Sequence, residues 1–193
     1  MASLIMIYLA MALSMQGMQG PLEELPVQDL SDYKLAGLKL RNTEPLSSDY
    51  LRAVIPLKNG EPFNIKPIKE TLEQIQRLYR DLGFLDFAYN PHFDIDHGQK
   101  TVLCSFDFIR GTRYHVNRIE VFGAGSDEEE NEIKSALILK EESLFSPAAF
   151  YDSHRGLKLL LESKNLNLKD YEYKRSSDYP GTVDISIRIQ SVE

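Results

Sequence analysis

The stretch Pro91-His-Phe-Asp-Ile-Asp-His-Gly98 holds the densest set of side chains that could do chemistry: His92, Asp94, Asp96 and His97. Imidazoles and carboxylates bind a divalent metal such as zinc when three or four of them converge on one point. These four spread over a strand and its turn, which argues against convergence, and no metal site is expected. The single cysteine, Cys104, rules out an internal disulfide framework and a cysteine-based zinc site. It shares a strand face with Val102, Phe106 and Phe108 and reads as a small buried hydrophobe rather than a nucleophile. His115 and His154 have no matched partners, and His154 falls on the apolar stripe of a helix. The acidic run Asp127 to Glu130 sits at a helix start, where favourable interaction with the helix dipole accounts for it without a calcium ion. There is no phosphate-binding loop, no nucleophile elbow and no carboxylate pair in a plausible cleft. The sequence reads as non-enzymatic, with neither cofactor nor metal.

The elements that carry these residues come from an ordinary globular composition. The chain has 193 residues, 42% hydrophobic and 26% charged, with a net charge of -7. An acidic surface lacks the basic patch that a phosphate backbone needs, so nucleic acid is excluded as a partner. It also disfavours docking on anionic lipid headgroups.

Met1 to Gly20 contains no charged residue. Its apolar core runs from Leu4 to Leu13, and Ala10-Met-Ala12 and Ala12-Leu-Ser14 both have the small-x-small spacing of a signal-peptidase site. The apolar run is too short to span a bilayer, which takes roughly 20 residues. Residues 1–20 are therefore read as a cleaved secretory signal, atypical in lacking Lys or Arg, and residues 21–32 as a flexible lead-in.

From Tyr33 onward the chain repeats itself. Leu35, Leu38 and Leu40 mark a short strand, and Ser47 or Ser48 caps a short helix with Leu51, Val54 and Ile55 inside. Asn64 caps a longer helix, which takes Pro67 in its first turn and runs to about Asp81. Ile68, Leu72, Ile75 and Tyr79 make its apolar stripe. Phe87, Tyr89, Phe93 and Ile95 alternate as a strand, Asp96 to Gln99 turns, and Val102 to Phe108 returns. The stretch from Gly111 to Gly123 then opens a second unit. Ser126 and Glu129 have capping-box spacing, Ser146-Pro147 starts the second long helix, and Val183, Ile185, Ile187 and Ile189 alternate as the last strand. Phe145 follows Phe63 by 82 residues, and Leu139 follows Leu57 at the same distance. The fold class is α+β: two tandem β-α-α-β-β modules, 33–111 and 112–190, each a three-stranded mixed sheet with two helices on one face.

Specific residues in this order resemble the POTRA (polypeptide-transport-associated) domain. They are Ile119-Glu-Val-Phe-Gly123, Leu57-Lys-Asn-Gly60-Glu-Pro-Phe63, Leu78-Tyr-Arg-Asp-Leu-Gly-Phe84, and Phe108-Ile-Arg-Gly111 leading into Tyr114-His-Val116. The second copy departs from the pattern: Glu142 stands at the position of Gly60, and Asn165-Leu166 at that of Gly83-Phe84. Tandem domains of this kind occupy the periplasmic part of outer-membrane barrel-assembly and surface antigen proteins. The resemblance therefore implies a periplasmic, outer-membrane-associated, polypeptide-binding module. Its partners would be unfolded or nascent outer-membrane proteins, together with a separate outer-membrane β-barrel if this is a stand-alone piece. The alternative is a structural scaffold of the cell-division or cell-envelope type.

In the family topology the strand after the long helix is a sheet edge. The expected peptide-binding edges are Asp86, Phe87, Ala88, Tyr89 and Asn90 in the first unit. In the second they are Lys169, Asp170, Tyr171, Glu172 and Tyr173. Such an edge can accept an extended peptide by strand addition, with backbone bonds supplying affinity.

Overall fold

The computed structural model describes residues 30–55 and 58–191. The expected signal segment, most of the lead-in and Leu57 lie outside the described residues. The elements are β1 (Lys34–Arg41), α1 (Ser48–Val54), α2 (Ile65–Asp81), β2 (Ala88–Asp96), β3 (Thr101–Ile109), β4 (His115–Phe122), α3 (Asp127–Ser135), α4 (Pro147–Ser163), β5 (Leu166–Arg175) and β6 (Thr182–Ser191). They form two mixed sheets of three strands, ordered β1-β3-β2 and β4-β6-β5. The α+β class and the doubled β-α-α-β-β order are those expected from the sequence.

The chain divides into two compact units. One reaches to Glu73 and includes Ala88–Ile109; the other takes Gln74–Phe87 and continues from Arg110. Gln74–Phe87 groups with the second unit because its residues bond there. Tyr114 donates its backbone N–H to the Gly83 carbonyl at 2.8 Å. Arg113 Nε donates to the Leu82 carbonyl at 3.1 Å. Leu85 belongs to the second unit's core.

In the first unit β3 is central, parallel to β1 and antiparallel to β2. Alternation on β3 buries Val102, Cys104, Phe106 and Phe108. Leu35, Leu51, Ile68, Leu72 and Tyr89 are buried in the same unit. Phe106 meets the rings of Tyr89 and Phe93 edge-on, at centroid distances of 6.4 and 6.1 Å. Local signals fix the element ends. Ser47 Oγ accepts the Tyr50 N–H at 3.1 Å, and Asn64 Oδ1 accepts that of Lys66 at 3.0 Å. Asp96 Oδ1 takes the N–H groups of Gly98 and Gln99, both at 2.9 Å, and closes the β2–β3 turn.

The second unit repeats the plan. β6 is central, and Val183, Ile185, Ile187 and Ile189 are buried beneath Ile133, Phe145, Phe150, Leu157 and Leu161. Ser126 Oγ accepts the Glu129 N–H at 3.2 Å. The Glu129 carboxylate accepts from Gly125 N at 2.7 Å, one residue further back than a capping box requires.

The correspondence between the units extends to the backbone. A bulge interrupts β1 between Leu35 and Gly37, and β4 between Val116 and Arg118. Phe63 N donates to Tyr33 O at 2.7 Å, and Phe145 N to Tyr114 O at 3.0 Å. Glu142 (φ 65°) adopts the left-handed conformation of Gly60 (φ 85°), and Asn165 (φ 57°) that of Gly83 (φ 90°). The second copy keeps the shape where it lacks the glycines.

Candidate peptide-binding edges

Each central strand is paired on both sides, so β2 and β5 are sheet edges. β2 is in unbroken register with β3, from Ala88 opposite Ile109 to Asp96 opposite Thr101. Its side chains alternate: Tyr89 is buried, Pro91 and Phe93 are half-buried, and Asn90, His92 and Asp94 are exposed. Pro91 has no N–H to offer a further strand, so pairing there would be interrupted.

The expected first edge is shorter at its start. Asp86 lies in a turn and Phe87 just before the strand. Phe87 is fully buried, stacked on Tyr79 with centroids 4.1 Å apart, and its carbonyl accepts from Gln76 Nε2 at 3.4 Å. The Asp86 carboxylate is bonded to Tyr114 and Arg175. Both residues are committed to intramolecular contacts, and Ala88, Tyr89 and Asn90 alone stand on the strand. Alternating apolar residues marked the strand correctly, but Gly83-Phe84 hid the turn through Leu85 and Asp86 that follows it.

In the second unit all five expected residues lie on β5. Lys169 is a bulge without an opposite residue on β6, which breaks the register between Leu168 and Asp170. Tyr171 and Tyr173 are anchored inward. Tyr171 stacks on Phe150 at 4.0 Å and donates its phenol proton to the Phe150 carbonyl at 3.1 Å. Tyr173 lies 4.6 Å from Phe145. Burial pushes the Tyr171 phenol up to about 12, and burial, followed by Tyr151, raises that of Tyr173. The outward side of β5 carries Asp170, Glu172 and Lys174; Lys174 pairs with Glu172 at 2.7 Å. An arriving strand would meet backbone groups flanked by solvated charges, which blunt but do not block an edge.

The residues considered for chemistry do not assemble. His92 Nε2 lies 2.8 Å from Asp94 Oδ1, Asp96 is used by its turn, and His97 Nδ1 lies 2.7 Å from the Tyr33 hydroxyl. Among the described residues no group of three His, Cys, Asp or Glu side chains could hold a metal ion. Cys104 is buried, and burial alone pushes its thiol up to about 12. His154 faces the Tyr171 ring at 5.9 Å, and burial, aided by Lys158, lowers its pKa. Among the described residues no helix is long and apolar enough to cross a membrane.

Residues 33–108 match the family model described as POTRA, surface antigen variable number repeat. The chain resembles two solved structures in fold. One is BamA POTRA3-5 of Haemophilus influenzae, with TM-score 0.53, 19% identity, 82% of this chain and 66% of that one. The other is BamA of Haemophilus ducreyi lacking POTRA domains 1-3, with TM-score 0.60, 18% identity, 82% of this chain and 29% of that one. A Treponema pallidum (strain Nichols) protein named "Putative outer membrane protein assembly factor" is 25% identical over 125 residues, 65% of this chain. The chain spans 15% of that relative's length. Residues 33–108 thus match the POTRA family model, and the second unit repeats their order of strands and helices.

Proposed function

We propose that this chain is a non-enzymatic, periplasmic polypeptide-binding module of outer-membrane protein assembly or polypeptide transport. In this reading it is associated with the outer membrane and receives unfolded or nascent outer-membrane proteins by strand addition. An outer-membrane β-barrel, in the same protein or apart from it, is the partner it would serve. The observation that carries the reading is that each POTRA-like unit ends its long helix in a sheet-edge strand, β2 or β5. The likeness to BamA structures and to a relative named for outer-membrane protein assembly supports the setting. Backbone pairing offers affinity with little sequence preference, which suits a module that handles many extended substrates.

In-cell photocrosslinking tests this. A photoreactive residue at exposed Asn90 or Asp170 should capture outer-membrane barrel proteins, and one at exposed Lys158 on α4 should not. Equal capture from all three positions, or capture only of inner-membrane proteins, would overturn the reading.

A further inference from the structure

The two units differ at one place where the backbone is the same. In the second unit the carboxylate of Glu141 accepts the Ile119 N–H at 2.9 Å, at the outer edge of β4. Beside it, Arg118 lies 3.5 Å from both Glu120 and Asp184. This edge therefore carries its own carboxylate, and its cation is met by acids of the same unit.

The first unit has the same bulge, and Leu38 pairs opposite Cys104 as Ile119 does opposite Ile185. Strand pleating then turns the Leu38 N–H outward, as it turns that of Ile119. The side chains are not the same. Gly37 stands for Arg118, Lys39 for Glu120, Leu103 for Asp184, and Asn59 for Glu141. All three acids are gone, and the one cation stands at the position of Glu120 instead of that of Arg118. What remains is an open cleft of about 410 Å³, lined by Gly37, Leu38, Lys39, Arg52, Asn59 and Leu103. Among the described residues neither Lys39 nor Arg52 has an ion-pair partner. On a chain of net charge -7 this is a locally cationic recess on the β1 edge beyond Leu35, whose N–H and carbonyl are already taken by Glu61 and Gly60.

We propose that the β1 edge of the first unit binds an extended acidic peptide, one carboxylate of which takes the place Glu141 holds in the second unit. That carboxylate accepts the Leu38 N–H and has Lys39 and Arg52 as counter-charges; charge-assisted bonds of this kind are among the stronger ones. The site lies on the opposite edge from β2, so its failure would leave the proposed function standing.

The test follows backbone amides by NMR in the whole chain, titrated with a blocked peptide of alternating valine and glutamate. The amides of Gly37, Leu38 and Lys39 should shift. The matching valine–glutamine peptide should bind about tenfold more weakly. Asn59→Glu supplies the carboxylate in cis and should abolish the response with the circular dichroism unchanged. Should that variant misfold, Arg52→Gln, on an exposed helix face, should weaken binding several-fold by loss of one counter-charge. Equal binding of the two peptides, or a glutamate peptide that leaves the Leu38 amide unmoved, would overturn the proposal. Sodium acetate that matches the peptide at equal carboxylate concentration would reduce the site to simple anion binding and overturn its peptide part.

Discussion

The Tyr114 phenol donates to Asp86 Oδ2 at 2.8 Å, and this bond ties the turn after α2 to the start of β4. Arg175 Nη2 meets the other carboxylate oxygen at 2.5 Å, and its guanidinium lies over the Tyr114 ring, 5.4 Å from the centroid. One carboxylate thus gathers a phenol and a guanidinium. Burial, and then the bond to Asp86, raises the Tyr114 pKa, while Arg175 opposes the rise. Asp86→Asn should cost about 1–2 kcal/mol by weakening two charge-assisted bonds. It should also lower the Tyr114 pKa. Urea unfolding and ultraviolet phenol titration would check both; a variant as stable as the parent would show that the trio contributes no net stability.

The N-terminus of α4 has two caps. Ser146 Oγ accepts the Ala149 N–H at 3.2 Å, and Asp81 Oδ1 accepts that of Ala148 at 3.0 Å. Asp81 ends α2, so one helix end serves the start of another, and its negative charge also suits the positive end of the α4 dipole. Ser146→Ala and Asp81→Ala should each lower stability by about 1 kcal/mol. The double variant should lose less than the sum, because Ser146 Oγ also donates to Asp81 Oδ1 at 3.4 Å and either substitution alone removes that bond. A double-mutant cycle in urea decides this.

Much of this was readable from residue order, and the unreadable parts have a common cause. Val183, Ile185, Ile187 and Ile189 declare a half-buried strand because local alternation suffices. Ser47, Asn64 and Ser146 announce helix starts because a cap is bonded within three residues. Asp81 and Asp86 are different. Asp81 caps Ala148 and Asp86 pairs with Arg175, contacts that span 67 and 89 residues of chain. No periodicity encodes such pairs. Asp86 and Phe87 therefore read as residues of the peptide-binding edge, when both are held by the fold. The Lys169 bulge is not encoded locally for the same reason, since register is a property of two strands.

Alkaline pH should unfold the protein through its buried phenols. Burial pushes Tyr79, Tyr89 and Tyr171 up to about 12 from 10.0. Arg110 opposes the shift at Tyr79, and Glu73 adds to it at Tyr89. The native chain holds these protons after the unfolded chain has lost them. Their contribution is therefore complete below pH 10 and lost as pH rises through about 12. Each of the fully buried pair, Tyr79 and Tyr89, accounts for a loss on the order of 2 kcal/mol. Tyr89→Phe should flatten the decline of urea stability between pH 10 and 12 relative to the parent. An unchanged slope would mean that the ring opens to solvent before it ionises.

The sharpest test of the repeat lies where the second copy lacks its glycines. Glu142 N donates to Val116 O at 2.8 Å, as Gly60 N does to Leu35 O at 2.7 Å. Asn165 N donates to Glu162 O at 3.2 Å, as Gly83 N does to Arg80 O at 2.9 Å. The bonds persist, so the left-handed conformation is imposed by the fold at both sites. An L-residue there is strained by roughly 1–2 kcal/mol, and glycine relieves this but gives back roughly 0.5–1 in unfolded-chain entropy. Glu142→Gly should therefore stabilise the second unit by about 0.5–1 kcal/mol. Asn165→Gly should change little, because asparagine tolerates this conformation better than glutamate does. Urea midpoints at unchanged slope would measure both. A gain at Glu142 without one at Asn165 would tie the effect to backbone strain. A loss at Glu142 would mean that the glutamate side chain stabilises this turn by more than its backbone strain costs.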